Sequence, residues 1–193
     1  MSAAAAGCLP APPPGARVRL RRLRTEDLAD FQAYRSDPEV GRYQGWRAQA
    51  DEGARGFLLR MSAAPLGQDG EWFQLGIAER AGDRLIGDVG VCRRRADDGV
   101  VEAEIGFSLA RPAQGRGLAA EALGALLCWL FDELAVARVV AVTDARNRAS
   151  IALLQRLGAR LARSDDAALF RGEPCVEHHF VFAAPRNKEE PPC

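Results

Sequence analysis

The sequence predicts a single α/β domain with a central mixed, largely antiparallel sheet flanked by helices. Three observations predict it. The chain has 193 residues, a length that favours one domain. Hydrophobic residues make up 48% and charged residues 27%, the balance of a globular protein able to bury a core without staples. Stretches of strand periodicity come as a closely spaced meander, and a strand–helix–strand–helix unit follows them.

Each element has its own signal. Residues 1–16 read as a disordered tail, because the Pro12-Pro13-Pro14-Gly15 run suits neither a helix interior nor a central strand. Val18 to Leu23 reads as a short strand. Thr25 can cap a helix with Leu28, Phe31 and Tyr34 on one face, and Asp37-Pro38 stops it. A second helix is expected over about Ala50 to Met61. Glu71–Glu79 and Arg84–Cys92 read as paired strands around the turn Ala81-Gly82-Asp83, and Val100–Leu109 as a further strand. Pro112 to Arg116 reads as a loop. From Gly117 to Leu134, Leu118, Ala122, Leu123, Leu126, Leu127, Leu130, Phe131 and Leu134 make one apolar helix face. Arg138–Thr143 is a continuous apolar strand, the kind usually buried on both faces. A helix over Asn147 to Leu157 closes at Gly158. Strands near Arg160–Phe170 and Cys175–Ala183, joined around Gly172-Glu173-Pro174, end the domain 17–184, and residues 185–193 read as a second disordered tail.

Charge and cysteine usage exclude several classes. The 26 basic and 26 acidic side chains cancel, which argues against nucleic-acid binding through a global basic field. Lys188 is the only lysine, so the basic side chains are almost all arginine. The five cysteines, Cys8, Cys92, Cys128, Cys175 and Cys193, are odd in number and show no C-x-x-C spacing. A disulfide framework or zinc site is not expected, and Cys128 reads as a small buried hydrophobe. The start lacks a basic n-region and an apolar h-region, and no run reaches the ~20 apolar residues of a membrane span. The expectation is a cytoplasmic protein with no metal, no nucleic-acid partner and no membrane partner, as a monomer or homodimer.

The segment Gln114-Gly115-Arg116-Gly117-Leu118-Ala119 lies between a strand and an amphipathic helix. First-turn N–H groups of a helix lack internal partners and sit at the positive end of the macrodipole, so they can hold a phosphate. Gly115 and Gly117 let an anion approach the backbone, and Arg116 can add charge. Gly115 to Ala120 also fits G-x-G-x-x-[G/A], the dinucleotide fingerprint. Two features oppose that rival: Ala110 to Gln114 separate the strand from the first glycine, and too few βα units follow.

The wider pattern resembles the GNAT N-acetyltransferase superfamily. The resemblance runs through Glu104–Leu109, Gln114-x-x-Gly117-x-Ala119, Asp144-x-x-Asn147 with Ser150, and Leu157-Gly158. It is closest in kind to the branch of ribosomal-protein N-terminal acetyltransferases. It implies the acyl-CoA N-acyltransferase fold and acetyl-CoA as co-substrate. It implies that Gln114, Gly117 and Ala119 bind the pyrophosphate, with the amides of Gly115, Arg116, Leu118 and Ala120 nearby. It implies that Phe107, Ser108 and Leu109 pair with pantetheine and that Asn147 touches the cofactor arm. A helix N-cap is a compatible second role for Asn147. Ser150 matches a proposed donor to the departing thiolate, against a plain first-turn serine. Tyr43 and Trp46 fall in a segment that covers the acceptor in that family, against ordinary loop packing.

Period two places Glu102 and Glu104 on one sheet face, roughly 7 Å apart. Glu104 stands at the family's acidic position, and a carboxylate there can take the proton of an incoming ammonium; Glu102 is the second candidate. Both also read as a solvated strand face. His178 and His179 point to opposite faces, so one can approach the cleft. The expected reaction is acetyl transfer from acetyl-CoA to a primary amine by direct attack. A protein N-terminus and small-molecule amines both remain as acceptors. The rivals are a catalytically weak acyl-CoA-binding regulatory module and a dinucleotide-binding protein.

Overall fold

Leu85 and Ile86 are neighbours in sequence, yet each packs into a different apolar cluster. Side chains alternate across a strand, so this pair marks a sheet covered on both faces. The structure, a computed structural model, describes residues 11–184. The predicted tail 185–193 and the first ten residues of the predicted tail 1–16 lie outside the described residues.

Seven strands form one sheet: β1 (Val18–Arg22), β2 (Trp72–Glu79), β3 (Leu85–Arg95), β4 (Val101–Leu109), β5 (Arg138–Asp144), β6 (Arg160–Phe170) and β7 (Glu173–Ala183). Their spatial order is β1-β2-β3-β4-β5-β7-β6, with β4 and β5 parallel and the other described pairs antiparallel. The helices are α1 (Leu28–Arg35), α2 (Pro38–Gly41), α3 (Asp51–Ala63), α4 (Leu118–Asp132) and α5 (Arg148–Arg156).

On one face, Leu123, Leu126, Trp129 and Leu130 of α4 pack on Phe73, Val89, Val91 and Val139. The Trp129 and Phe73 rings meet edge to face at 6.2 Å. Each such side chain contributes ~1.5–3 kcal/mol on burial. On the other face, Phe31, Tyr34 and Leu58 close over Leu23 and Leu85. A buried ion pair, Arg35 with Asp88, joins α1 to β3 beneath them.

Arginine makes every ion pair among the described residues. Asp83, at φ +57° in the predicted β2–β3 turn, gathers three of them: Arg19 at 3.1 Å, Arg21 at 2.8 Å and Arg24 at 2.7 Å. Burial pushes this carboxyl up, but the three guanidinium bonds outweigh it and hold the group well below the usual carboxylate range.

Four expectations change in detail. The helix after the glycine loop starts at Leu118 and ends at Asp132, because Gly117 is left-handed at φ +77° and stands outside it. The last turn is the pair Arg171-Gly172, both at positive φ, so Glu173 and Pro174 already belong to β7. Strand β5 is not buried on both faces: Val139 and Ala141 are buried, while Arg138, Val140 and Val142 are only half-buried. The half-buried side faces open cavities. Cys128 is likewise half-buried.

Candidate active site

Parallel pairing of β4 with β5 covers only Glu102↔Arg138 through Ile105↔Ala141. Beyond that point the strands part, and the opening is a cavity of about 550 Å³. That volume suits a cofactor-sized ligand. Its walls include Phe107, Ser108 and Leu109 from β4, Val142 and Thr143 from β5, Asn147 and Ser150 from α5, and the start of α4. Backbone that β5 no longer pairs is thus offered inside the molecule, away from either outer edge of the sheet.

The glycine loop folds as its residues dictate. Gly115 and Gly117 sit at φ +71° and +77°, a region that strongly favours glycine. The first helical bond of α4 runs from the Glu121 N–H to the Gly117 carbonyl, 3.1 Å. The N–H groups of Leu118, Ala119 and Ala120 precede it and so lack partners within the helix, and all three residues line the cavity. Leu118 is itself buried, so its contribution is its backbone. The Gln114 side chain donates to the Leu109 carbonyl at 2.8 Å and ties the loop to the end of β4. Arg116 does not line the cavity: it points to Glu79 at 3.9 Å, and its carbonyl accepts from Arg17. Glu121 accepts from the backbone N–H of both Arg17 and Val18, which locks the entry of β1 against α4.

Asn147 caps α5, its Oδ1 accepting from the Ser150 N–H at 3.2 Å. Asp144 accepts from the Arg146 backbone and guanidinium at 2.6–2.9 Å, and these bonds hold its carboxyl below the usual value.

A second cavity of about 510 Å³ opens beside the first and shares Tyr43, Gln44, Val142 and Thr143 with it. Glu104 lines it, with its Oε2 bound by Arg94 at 2.7 Å. Glu102 is on the same sheet face but nearly enclosed, held by Arg94 at 3.0 Å and Arg138 at 2.6 Å. It faces a further cavity of about 600 Å³ instead. Tyr43 lies at the junction of the first two cavities; Trp46 does not. Its ring lies 4.3 Å from the Arg35 guanidinium, against Gly41, as part of the packing under α1.

Sequence reasoning missed four residues here. Gln44 donates to the Phe107 carbonyl at 3.1 Å, and Thr143 sits between the cavities. Arg94 holds both glutamates; counting back from the Ala96–Gly99 turn pairs it with Glu102 and finds it. Arg171 donates to the carbonyls of Gly41, Gln44 and Trp46 at 3.1–3.2 Å, a contact across the fold with no local signal.

With this geometry in place, residues 17–160 match the model of the acetyltransferase (GNAT) domain. The chain belongs to the GNAT acetyltransferase family. The acetyltransferase is 31% identical over 141 residues to the uncharacterized N-acetyltransferase p20 of Bacillus licheniformis, covering 73% of this chain and 78% of the relative. Its fold matches a GNAT-family acetyltransferase of Bacillus anthracis at TM-score 0.77 and 19% identity, over 88% of this chain and 96% of that one. It also matches the ribosomal-protein acetyltransferase RimL, solved with coenzyme A, at TM-score 0.75 and 17% identity, over 90% and 98%. The dinucleotide reading fails on the fold, since the described sheet holds one parallel pair where that architecture needs several.

Proposed function

We propose that this acetyltransferase holds acetyl-CoA in the β4–β5 opening and passes its acetyl group to a primary amine entering from the neighbouring cavity. The amine is a protein N-terminus or that of a small molecule. One observation carries the reading: the two cavities meet at Tyr43, Gln44, Val142 and Thr143, so donor and acceptor can touch there and nowhere deeper. Placing both reactants at one junction is itself a large part of catalysis.

In this reading the amides of residues 115–120 hold the pyrophosphate, and Gln114 stiffens the loop. The backbone of Phe107, Ser108 and Leu109 meets the pantetheine arm, and an amide near Leu109 meets the developing oxyanion. Asn147 fixes the start of α5, from which Ser150 can donate to the leaving thiolate. Glu104 meets the ammonium and draws on its proton. The roles of Arg116, Trp46 and Glu102 are structural, as their ion pairs and packing suggest. Among the described residues no helix is long and apolar enough to cross a membrane, and the buried Cys92 and Cys175 are free thiols. Both fit work in the cytoplasm.

Calorimetry with acetyl-CoA and with NAD tests the reading. Acetyl-CoA binds and NAD does not; G117D abolishes acetyl-CoA binding by placing bulk and a like charge beside the phosphates. Tight NAD binding without acetyl-CoA binding ends this reading, and CoA release with a panel of amines separates an enzyme from a binding module.

A further inference from the structure

The register of three strands brings His179 to the junction of the cavities. Glu104 lies opposite Val140 on β5, and Val142, two residues on, lies opposite His179 on β7. Paired residues point the same way, so Glu104, Val140, Val142 and His179 share one face of the sheet. Two strand spacings and a two-residue offset put the Glu104 and His179 Cα atoms ~12 Å apart, room for an amine and a water between their side chains. Val142 lines both the cofactor cavity and the acceptor cavity, whereas Val140 lines the acceptor cavity and not the cofactor cavity. His179 is therefore abreast of the transfer point, and Glu104 is one step removed from it.

The chemistry around each group points the same way. One oxygen of Glu104 is already taken up by Arg94 at 2.7 Å. His178 spends its Nδ1 on the Ser164 hydroxyl at 3.0 Å. His179 does the opposite: its Nε2 is enclosed and has no protein partner among the described residues. Buried polar atoms are nearly always bonded, and one without a partner calls for a ligand that completes it.

We propose that His179 is the terminal acceptor of the amine's proton, with Glu104 as the counter-charge that receives the ammonium and passes that proton on. The proposal rests on the acetyltransferase reading above. An alkylammonium enters against Glu104 and gives one proton, through Glu104, to His179 Nε2. The freed lone pair forms the N–C bond to the thioester carbonyl. Collapse of the adduct breaks the C–S bond, the sulfur leaving with the electron pair. The second proton of the nitrogen balances the thiolate, which ends as the thiol, and His179 returns its proton to solvent.

The groups facing His179 are Arg163 opposite it on β6, Asp165 and Glu177 further along the hairpin, Asp144 on β5, and Glu102, Glu104, Arg94 and Arg138 across the cavities. Burial and then Arg163 pull its pKa below the ordinary imidazole value, against the nearby carboxylates, so it is neutral and able to accept near neutral pH.

The test follows CoA release with pH for the wild type, H179Q and E104Q, using the α-amine of a Ser-Ala dipeptide and the side-chain amine of Nα-acetyl-lysine as probes. Wild-type kcat/KM falls on acidification with an apparent pKa below 6.5. H179Q loses ~10²–10⁴-fold in rate, loses that acid limb, and keeps its acetyl-CoA affinity and melting temperature. E104Q slows but keeps the limb. An H179Q protein with the wild-type rate, or with the acid limb intact, overturns the proposal. So does an NMR titration of the wild-type imidazole whose pKa differs from the kinetic limb, a readout that needs no variant to fold. Wild-type protein that releases CoA with no amine overturns the acetyltransferase reading and this proposal together; CoA release with an unaffected H179Q overturns this proposal alone.

Discussion

Asn147 and Ser150 stand one turn apart at the start of α5 and line the same cavity, yet they answer to different physics. The Asn147 side chain satisfies a helix-terminal N–H, a contact worth ~1 kcal/mol. Its loss in N147A lowers the melting temperature and weakens acetyl-CoA binding, because α5 then frays at the cavity wall. The Ser150 hydroxyl is not needed for that cap, which uses the Ser150 backbone. S150A keeps its melting temperature and its acetyl-CoA affinity and loses turnover; equal activity, or a defect in stability alone, assigns Ser150 to the helix and not to the thiolate. At this scale the sequence was legible where a backbone rule forces one residue type. Gly115 and Gly117 need left-handed backbone, and Asn147 needs a short acceptor. It was less legible for Arg116 and Trp46, whose side chains follow long-range partners, Glu79 and Arg35, that no local pattern names.

At the scale of elements, the segment between α2 and α3 roofs the junction of the cavities, and the turn of the β6–β7 hairpin pins it there. One guanidinium nitrogen of Arg171 reaches the carbonyls of Gly41, Gln44 and Trp46. Removing it frees a loop that no strand pairing holds. R171A is expected to raise the KM for the amine about five-fold, equivalent to ~1 kcal/mol of lost loop ordering. The KM for acetyl-CoA should change less, since most of its cavity is built from β4, α4 and α5. Steady-state kinetics with each substrate varied in turn check this; equal changes in both would mean that the roof belongs to the cofactor. Element order and type came through from periodicity because turns and caps bound each run. What did not come through was the exposure of β5. Its apolar run reads as doubly covered, but Val140 and Val142 floor cavities that a ligand, and not a helix, would cover.

For the whole molecule, two cores lie on opposite faces of one sheet, and at its β1 side the Asp83 cluster ties the β2–β3 turn to Arg19, Arg21 and Arg24. The folded pKa of Asp83 is depressed, so its stabilising contribution is complete above the unfolded carboxylate value of ~3.9 and is lost as pH falls through the lower folded value. D83N keeps a residue that tolerates positive φ while removing the charge. Melting temperatures measured against pH should show D83N below wild type by a constant margin above about pH 5, with the two curves converging in acid. A margin that persists unchanged to the most acidic folded condition would show that the turn, and not the charge, is what Asp83 supplies.

The arginine-only ion pairs carry one more consequence. A thioester donor reacts with free amines, and a lysine in a structural ion pair is such an amine whenever it sheds its proton. Acylation erases its charge and with it the pair. A guanidinium keeps its proton at any physiological pH and is not a nucleophile under those conditions. The framework that holds Glu104, Asp144 and Asp83 in place is therefore inert toward the reagent the protein handles. The protein can work beside its own acylating agent without becoming a substrate at the positions its fold depends on.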